Sequence, residues 1–412
     1  DDDWRPSLWL GTNDKFYLSR TSRDLKRIDQ CVVDVNTGSL KPVIEERLNT
    51  YVEIKRPGLI NGGKEIIEWS ERDGWAHFYL YDENGKLKNQ ITSGAWHCED
   101  IVGIDEKKRI LYFYANGREN VSEVTKGKNG DVVKSTNDKE DPYYLHLYKI
   151  NFDGSGLQLL NAGNYDHSNS MNDDKTFFVD NFSRVNTTPQ SVLYNADGKK
   201  IMDLETADLS SLMSAGYKFP ETFKVKADDG ITDIYGVMYK PFDFDPTKKY
   251  PIIEYVYPGP QTEAVNKAFS KGMDRVDRLA QLGFVVVTLG NRGGHPSRSK
   301  WYHNYGYGNL RDYGLADKKA AIEQLADRYS FIDVNKVGIH GHSGGGFMST
   351  AAMLVYPDFF KVAVSNAGNH DNSIYNRWWS EKHHGVKESI SEKGDTTFAY
   401  AIDKTFFSFS LF

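Results

Sequence analysis

Val337-Gly338-Ile339-His340-Gly341-His342-Ser343-Gly344-Gly345-Gly346-Phe347 is a β-branched run that breaks into a glycine turn and continues as a small-residue stretch, 348–353. The pattern G-x-S-x-G between a strand and a helix marks a strained turn that lifts a serine hydroxyl clear of a sheet. Gly341 and Gly345 follow from that geometry, because a Cβ two residues to either side of the serine would meet the crossing backbone. The N–H of the next residue, Gly344, is then aimed at an oxyanion. Ser343 is the expected nucleophile; the plain alternative is a structural serine in a Gly-rich turn. No phosphate loop is present, since neither Lys-Ser nor Lys-Thr follows the glycines.

On both sides of this turn, strands alternate with helices. Ile252-Ile253-Glu254-Tyr255-Val256-Tyr257 reads as a strand, 266–282 as a helix, 284–289 as an apolar strand, 315–328 as a helix and Val362-Ala363-Val364-Ser365 as a strand. Alternation of this kind implies a parallel sheet with crossover helices, an α/β domain over 223–412. Tyr257 ends a parallel strand just before Pro258-Gly259-Pro260, at the carboxyl edge where α/β sites form.

Upstream the pattern differs. Four alternating aromatic or aliphatic runs each end in Asn or Asp followed by a turn glycine: Gly38, Gly85, Gly154 and Gly198. Asp/Asn-x-Gly after such a run is a hairpin signal. The glycines lie 47, 69 and 44 residues apart, close to the roughly 40–50 residues of a propeller blade. The long interval contains the charged stretch 117–142, and subtracting it restores the period. The expected fold is a partial β-propeller of four to five blades over 1–205, a linker over 206–222, then the α/β domain; a generic antiparallel domain is the alternative to the propeller. The 13% aromatic content, with 25 Tyr and 22 Phe, suits such pleated surfaces.

Composition narrows the function classes. With 39% hydrophobic residues and a net charge of −6 over 412 residues, the chain is neither disordered nor strongly basic, so no nucleic-acid partner is expected. No apolar run reaches the roughly 18 residues of a membrane span, and the opening Asp1-Asp2-Asp3-Trp4 is not a signal peptide. Cys31 and Cys98 could form one bridge or remain two buried thiols. His97-Cys98-Glu99-Asp100 has ligand-type residues without a second cluster at ligand spacing, so neither a metal nor a cofactor is expected.

Several stretches resemble the prolyl oligopeptidase family of serine peptidases, in particular its dipeptidyl-peptidase IV branch. They are Trp69-Ser70-Glu71-Arg72-Asp73-Gly74-Trp75 with Tyr79-Leu80-Tyr81-Asp82, then Gly117-Arg118-Glu119-Asn120, Val256-Tyr257-Pro258-Gly259-Pro260 and Asn291-Arg292-Gly293-Gly294. The resemblance implies a propeller followed by an α/β hydrolase that removes N-terminal Xaa-Pro or Xaa-Ala dipeptides through an acyl-enzyme. It implies Ser343 as nucleophile, with the Tyr257 hydroxyl and the Gly344 N–H as the oxyanion hole. Tyr375 and Trp379 would wall the pocket for the penultimate side chain, or else form the core of a lid helix. It also implies a peptide substrate, a homodimer and an extracytoplasmic location.

The sequence departs from that branch in two places. The branch has Trp before and Tyr after the serine, where this chain has His342 and Gly344, which loosens the implied Pro preference. His342 points away from Ser343 on a tight turn and is not the expected base. In α/β hydrolases the acid and then the base follow the nucleophile, and only 69 residues follow Ser343. The resemblance places both beyond Phe412, so the triad Asp and His are expected to be absent and the chain close to inactive, truncated at both ends. Asp358, Asp371, Asp395, Asp403, His370, His383 and His384 are the downstream candidates; none follows a later strand, and the Phe-rich 405–412 does not read as more of the fold. Glu45-Glu46 is the one adjacent Glu pair in the first half that could anchor a substrate amine. An esterase of the same fold and a non-catalytic protein are the alternative functions.

Overall fold

The computed structural model describes residues 8–127, 130–270, 275–310, 313–372 and 374–400. Asp1-Asp2-Asp3-Trp4, Asp403 and 405–412 lie outside the described residues.

The aromatic runs form four consecutive four-stranded antiparallel sheets. The first holds β1 (Leu8–Trp9), β2 (Lys15–Thr21), β3 (Arg27–Asp34) and β4 (Ser39–Arg47). The second holds β5 (Gly58–Ile60), β6 (Glu65–Ser70), β7 (His77–Asp82) and β8 (Leu87–Gln90). In the third, β9 (His97–Asp105) and β10 (Ile110–Asn116) are followed by an inserted hairpin, β11 (Asn120–Gly127) and β12 (Gly130–Lys139), before β13 (His146–Asn151) and β14 (Gln158–Leu159). The fourth holds β15 (Asp166–Met171), β16 (Phe177–Ser183), β17 (Gln190–Asn195) and β18 (Lys200–Thr206).

Each turn glycine joins the third and fourth strands of its sheet, with φ of 70° at Gly38, 80° at Gly85, 87° at Gly154 and 78° at Gly198. Three of them are also places of close approach. A Cβ at Gly85 would run into the Val43 carbonyl of the first sheet; one at Gly154 would lie 3.1 Å from the Ile91 carbonyl, and one at Gly198 2.9 Å from the Leu160 carbonyl. These three turns therefore seat on the backbone of the chain that precedes their sheets, and glycine satisfies both the left-handed φ and the space. Between sheets the faces share cores: Tyr17, Ile44, Ile66 and Tyr79 between the first two, and Phe78, Leu80, Phe113 and Tyr148 between the next two. Cys31 and Cys98 are buried free thiols in different sheets.

After α1 (Ser210–Ser214) the chain builds one six-stranded sheet. Its strands are β19 (Glu221–Lys226), β20 (Asp233–Tyr239), β21 (Tyr250–Val256), β22 (Val285–Leu289), β23 (Ile332–His342) and β24 (Phe360–Asn366), in the order β19-β20-β22-β21-β23-β24. The last four in sequence run parallel. β22 is buried along its whole length, as a strand covered on both faces must be. The helices are α2 (Arg275–Ala280), α3 (Lys300–His303), α4 (Leu315–Arg328), α5 (Gly344–Val355) and α6 (Arg377–His384), and a hairpin of β25 (Val386–Ile390) and β26 (Thr396–Tyr400) follows. α4 buries Leu315, Ile322 and Leu325 at helical spacing against this sheet. Of the helical stretch expected over 266–282, the described helix is α2.

The two parts meet around α3. Lys300 Nζ pairs with Glu71 Oε2 at 2.7 Å and donates to the Tyr51 carbonyl at 3.1 Å, both in buried surroundings. Asn116 Nδ2 donates to the Ser297 carbonyl at 2.7 Å, and Lys267 pairs with Asp141 at 2.7 Å. Among the described residues no helix is long and apolar enough to cross a membrane, and no group of three or more His, Cys, Asp or Glu could hold a metal ion.

Candidate active site

Ser343 sits between β23 and α5 with φ 57° and ψ −120°, in the left-handed half of conformational space that a side chain adopts only under constraint. Two backbone bonds impose it: the Ser343 N–H donates to the Asn366 carbonyl at 2.9 Å, and the Phe347 N–H donates to the Ser343 carbonyl at 3.0 Å. The flanking glycines are there for space. A Cβ at Gly341 or Gly345 would run into the Val256 carbonyl oxygen, and one at Gly346 would be 2.5 Å from that of Asn366. At Gly344 the nearest atom to such a Cβ is Pro258 Cδ at 3.9 Å, so this glycine is not forced by crowding.

A cavity of about 150 Å³ opens at the serine, and Ser343, Gly344, Tyr257, Tyr375 and Trp379 all line it. The chain segments that bring them together are the end of β21, the start of α5 and the region of α6. Also in the lining are Gln261, Leu310, Tyr313, Phe347, Asn369 and Asn372, which the sequence did not single out. Phe347 lies one helical turn beyond Ser343, a spacing that could have pointed to it.

The loop 257–261 is held from below and from the side. The Pro258 carbonyl accepts from Asn291 Nδ2 at 3.1 Å and from the Tyr313 hydroxyl at 3.2 Å. Burial, with the charge of Glu263 adding to it, pushes the Tyr313 phenol well above its usual range and keeps it a donor. Gly259 has φ 100°, and a Cβ there would lie 2.7 Å from Gly294 Cα, so the Asn291-Arg292-Gly293-Gly294 loop packs directly under it. Arg292 fixes that loop by donating from Nη2 to Asp317 Oδ1 at 2.6 Å. The Pro260 carbonyl accepts from His303 Nε2 at 2.7 Å.

The opposite wall is aromatic. The Tyr375 and Trp379 rings meet edge to face with centroids 5.5 Å apart. Trp379 Nε1 donates to Gln261 Oε1 at 2.8 Å, joining this wall to the loop. Asn376 caps α6, its side chain accepting from the Trp379 N–H at 3.0 Å.

Among the described residues no histidine is hydrogen-bonded to Ser343 Oγ. His370 Nε2 lies 3.4 Å from Ser365 Oγ. His383 packs against Tyr51 and Trp379, with ring centroids 5.2 and 5.0 Å away, and burial with the Lys382 charge holds its pKa well below the usual value. Burial lowers His384 to about 4. Asp358 lies beyond the far end of α5 from Ser343, and Asp395 in the β25–β26 turn. Glu46 accepts from Ser70 Oγ at 2.7 Å and from Arg72 at 2.9 Å, and Glu45 pairs with Arg27 at 3.2 Å.

Residues 4–189 match the family model described as the dipeptidyl peptidase IV N-terminal region, and residues 272–400 match that of the prolyl oligopeptidase family. The chain is 31% identical over 312 residues to dipeptidyl peptidase 8 of Homo sapiens, covering 72% of this chain and 32% of that protein. It is 25% identical over 380 residues to dipeptidyl peptidase 4 of Trichophyton rubrum, covering 88% and 45%. Among solved structures it is similar to a candidate dipeptidyl aminopeptidase IV of Bacteroides ovatus, with a TM-score of 0.77, 26% identity, and coverage of 92% of this chain and 53% of that one. It also shares its fold with Porphyromonas gingivalis dipeptidyl peptidase 4, at a TM-score of 0.75, 22% identity, and coverage of 90% and 49%. These matches make the architecture a propeller-type β region followed by an α/β hydrolase. The chain spans about a third to a half of the length of these curated relatives.

Proposed function

Because the chain belongs to the prolyl oligopeptidase family of peptidases, we propose that the cavity at Ser343 is an acyl-transfer site for peptides entered from the N-terminus, releasing Xaa-Pro or Xaa-Ala dipeptides. The supporting observation is the convergence in one cavity of a strained serine, an N–H at Gly344, a phenol at Tyr257 and an aromatic wall. Ser343 Oγ attacks the carbonyl carbon of the second residue and gives up its proton to a base. The C–O⁻ that forms takes hydrogen bonds from the Gly344 N–H and the Tyr257 hydroxyl. Collapse breaks the C–N bond, the leaving amine takes a proton, and water then cleaves the ester to free the dipeptide and the serine. Tyr375 and Trp379 offer flat apolar surfaces to a side chain that brings no polar group, as Pro and Ala do not. A homodimer outside the cytoplasm is the setting that the family resemblance supports.

We further infer that the proton acceptor is none of the described histidines; in support, His370 Nε2 lies against Ser365 Oγ, His303 Nε2 donates to the Pro260 carbonyl, and the His383 ring packs on Tyr51 and Trp379. Acyl transfer by residues 8–400 is then slow, by the roughly 10²–10⁴-fold that general base catalysis supplies. The test is turnover of a Gly-Pro p-nitroanilide and of p-nitrophenyl acetate, each with and without added imidazole, in the chain and its S343A variant. We expect Ser343-dependent turnover that imidazole accelerates. Fast anilide hydrolysis without imidazole would refute the inference about the base. Turnover of the acetate with none of the anilide under any condition would favour the esterase reading.

A further inference from the structure

α6 presents Trp379 to the cavity. One turn on, three consecutive residues that wrap around the helix meet the first β-sheet and the segment after it, with His383 on the same face as Trp379. Glu381 Oε1 accepts from Arg23 Nη2 at 2.6 Å, Lys382 Nζ pairs with Glu53 Oε1 at 2.7 Å, and the His383 ring stands edge-on to Tyr51 at 5.2 Å. The Lys382 ammonium also lies 4.9 Å over the Tyr51 ring.

Tyr51 reaches the opposite wall as well. Its hydroxyl is 3.0 Å from His303 Nε2, the atom that donates to the Pro260 carbonyl at 2.7 Å. Trp379 Nε1 on Gln261 Oε1 then closes a ring: Tyr51 to His303 to the 257–261 loop to α6 and back to Tyr51. A helix of 8 residues does not hold itself in place. Its position must come from its tertiary contacts, and the charged ones run to the β region.

We propose that Arg23, Tyr51 and Glu53 are positioning residues that fix the aromatic wall and the oxyanion loop of the cavity relative to each other, so that the β region sets the width of the pocket. This rests on reading the cavity as the substrate site. Burial alone would push the Glu53 carboxyl up; the Lys382 ammonium outweighs it and holds the group below the usual carboxylate range, so the pair is ionised where it acts.

Charge exchange in the full chain tests the proposal: E53K, K382E and the double variant, with E53Q as a milder change should a reversal fail to fold. Hydrogen exchange read by mass spectrometry should speed up about tenfold across 377–384 in each single variant, with 344–355 unchanged. The double variant should return to the wild-type rate. Labelling of Ser343 by an Ala-Pro diphenyl phosphonate should slow in the single variants, while labelling by a methyl fluorophosphonate, which does not use the pocket, should not. Unchanged exchange in the single variants, or no recovery in the double, overturns the proposal. If neither probe labels Ser343 in wild type, the nucleophile reading fails, while the exchange rates still decide whether the β region holds α6.

Discussion

The Ser343 N–H donates to the Asn366 carbonyl across 2.9 Å, which ties the left-handed residue to the end of the neighbouring parallel strand. The turn is thus braced by β24 on one side and the Val256 carbonyl on the other, with glycines where they touch.

Two adjacent substitutions should therefore differ. G345A places a methyl on the Val256 carbonyl and should cost about 3 kcal/mol. G344A meets nothing nearer than 3.9 Å and should cost less than about 1 kcal/mol. Urea unfolding monitored by tryptophan fluorescence separates them.

Strain at the nucleophile should appear as a trade between stability and reactivity. S343G relieves the positive φ and should stabilise the fold by about 1 kcal/mol while removing covalent labelling. Y257F should leave stability nearly unchanged and slow acylation by about 10²–10³-fold, the loss of one oxyanion donor. Thermal melts and labelling rates on the same samples check both.

Burial, aided by the Lys300 ammonium, lowers His303 to about 3, and its Nε2–H is engaged by Pro260. The unfolded chain takes up this proton near pH 6.5 and the folded chain does not until near pH 3. The contribution of His303 is therefore complete above pH 6.5 and is lost progressively as pH falls toward 3, at up to ~1.4 kcal/mol per pH unit. Between pH 7 and 5 the wild type should lose more stability than H303Q. Equal losses would remove His303 from the account.

Lys300 and Glu71 form a buried ion pair between the two parts. K300M leaves the Glu71 charge without its partner and should cost about 3–5 kcal/mol. K300M/E71L removes both charges and should recover most of that loss. Denaturant midpoints of the wild type and both variants measure the difference.

Much of the fold was legible because local chemistry repeats. At Gly38, Gly85, Gly154 and Gly198 an acidic or amide side chain, an alternating run and a required positive φ coincide, so the turns stand out in sequence. That three of them also seat on the chain that precedes their sheets could not be read, since it depends on Val43, Ile91 and Leu160 from that earlier chain. The serine turn was legible for the same reason: Gly341, Ser343 and Gly345 answer to one local geometry. Tyr313 and His303 were not. Each acts through a carbonyl, Pro258 or Pro260, that lies some 40–55 residues away in sequence, and no local pattern marks such a bond. The ion pairs of Arg23 and Glu53 with α6 are more remote still, spanning over 300 residues.

The most direct test of the central claim is peptide mapping of the folded chain after exposure to a fluorophosphonate. The account predicts one adduct per molecule, on Ser343, absent from S343A and formed more slowly in Y257F. An adduct on any other residue, or none on a chain shown to be folded, would contradict it.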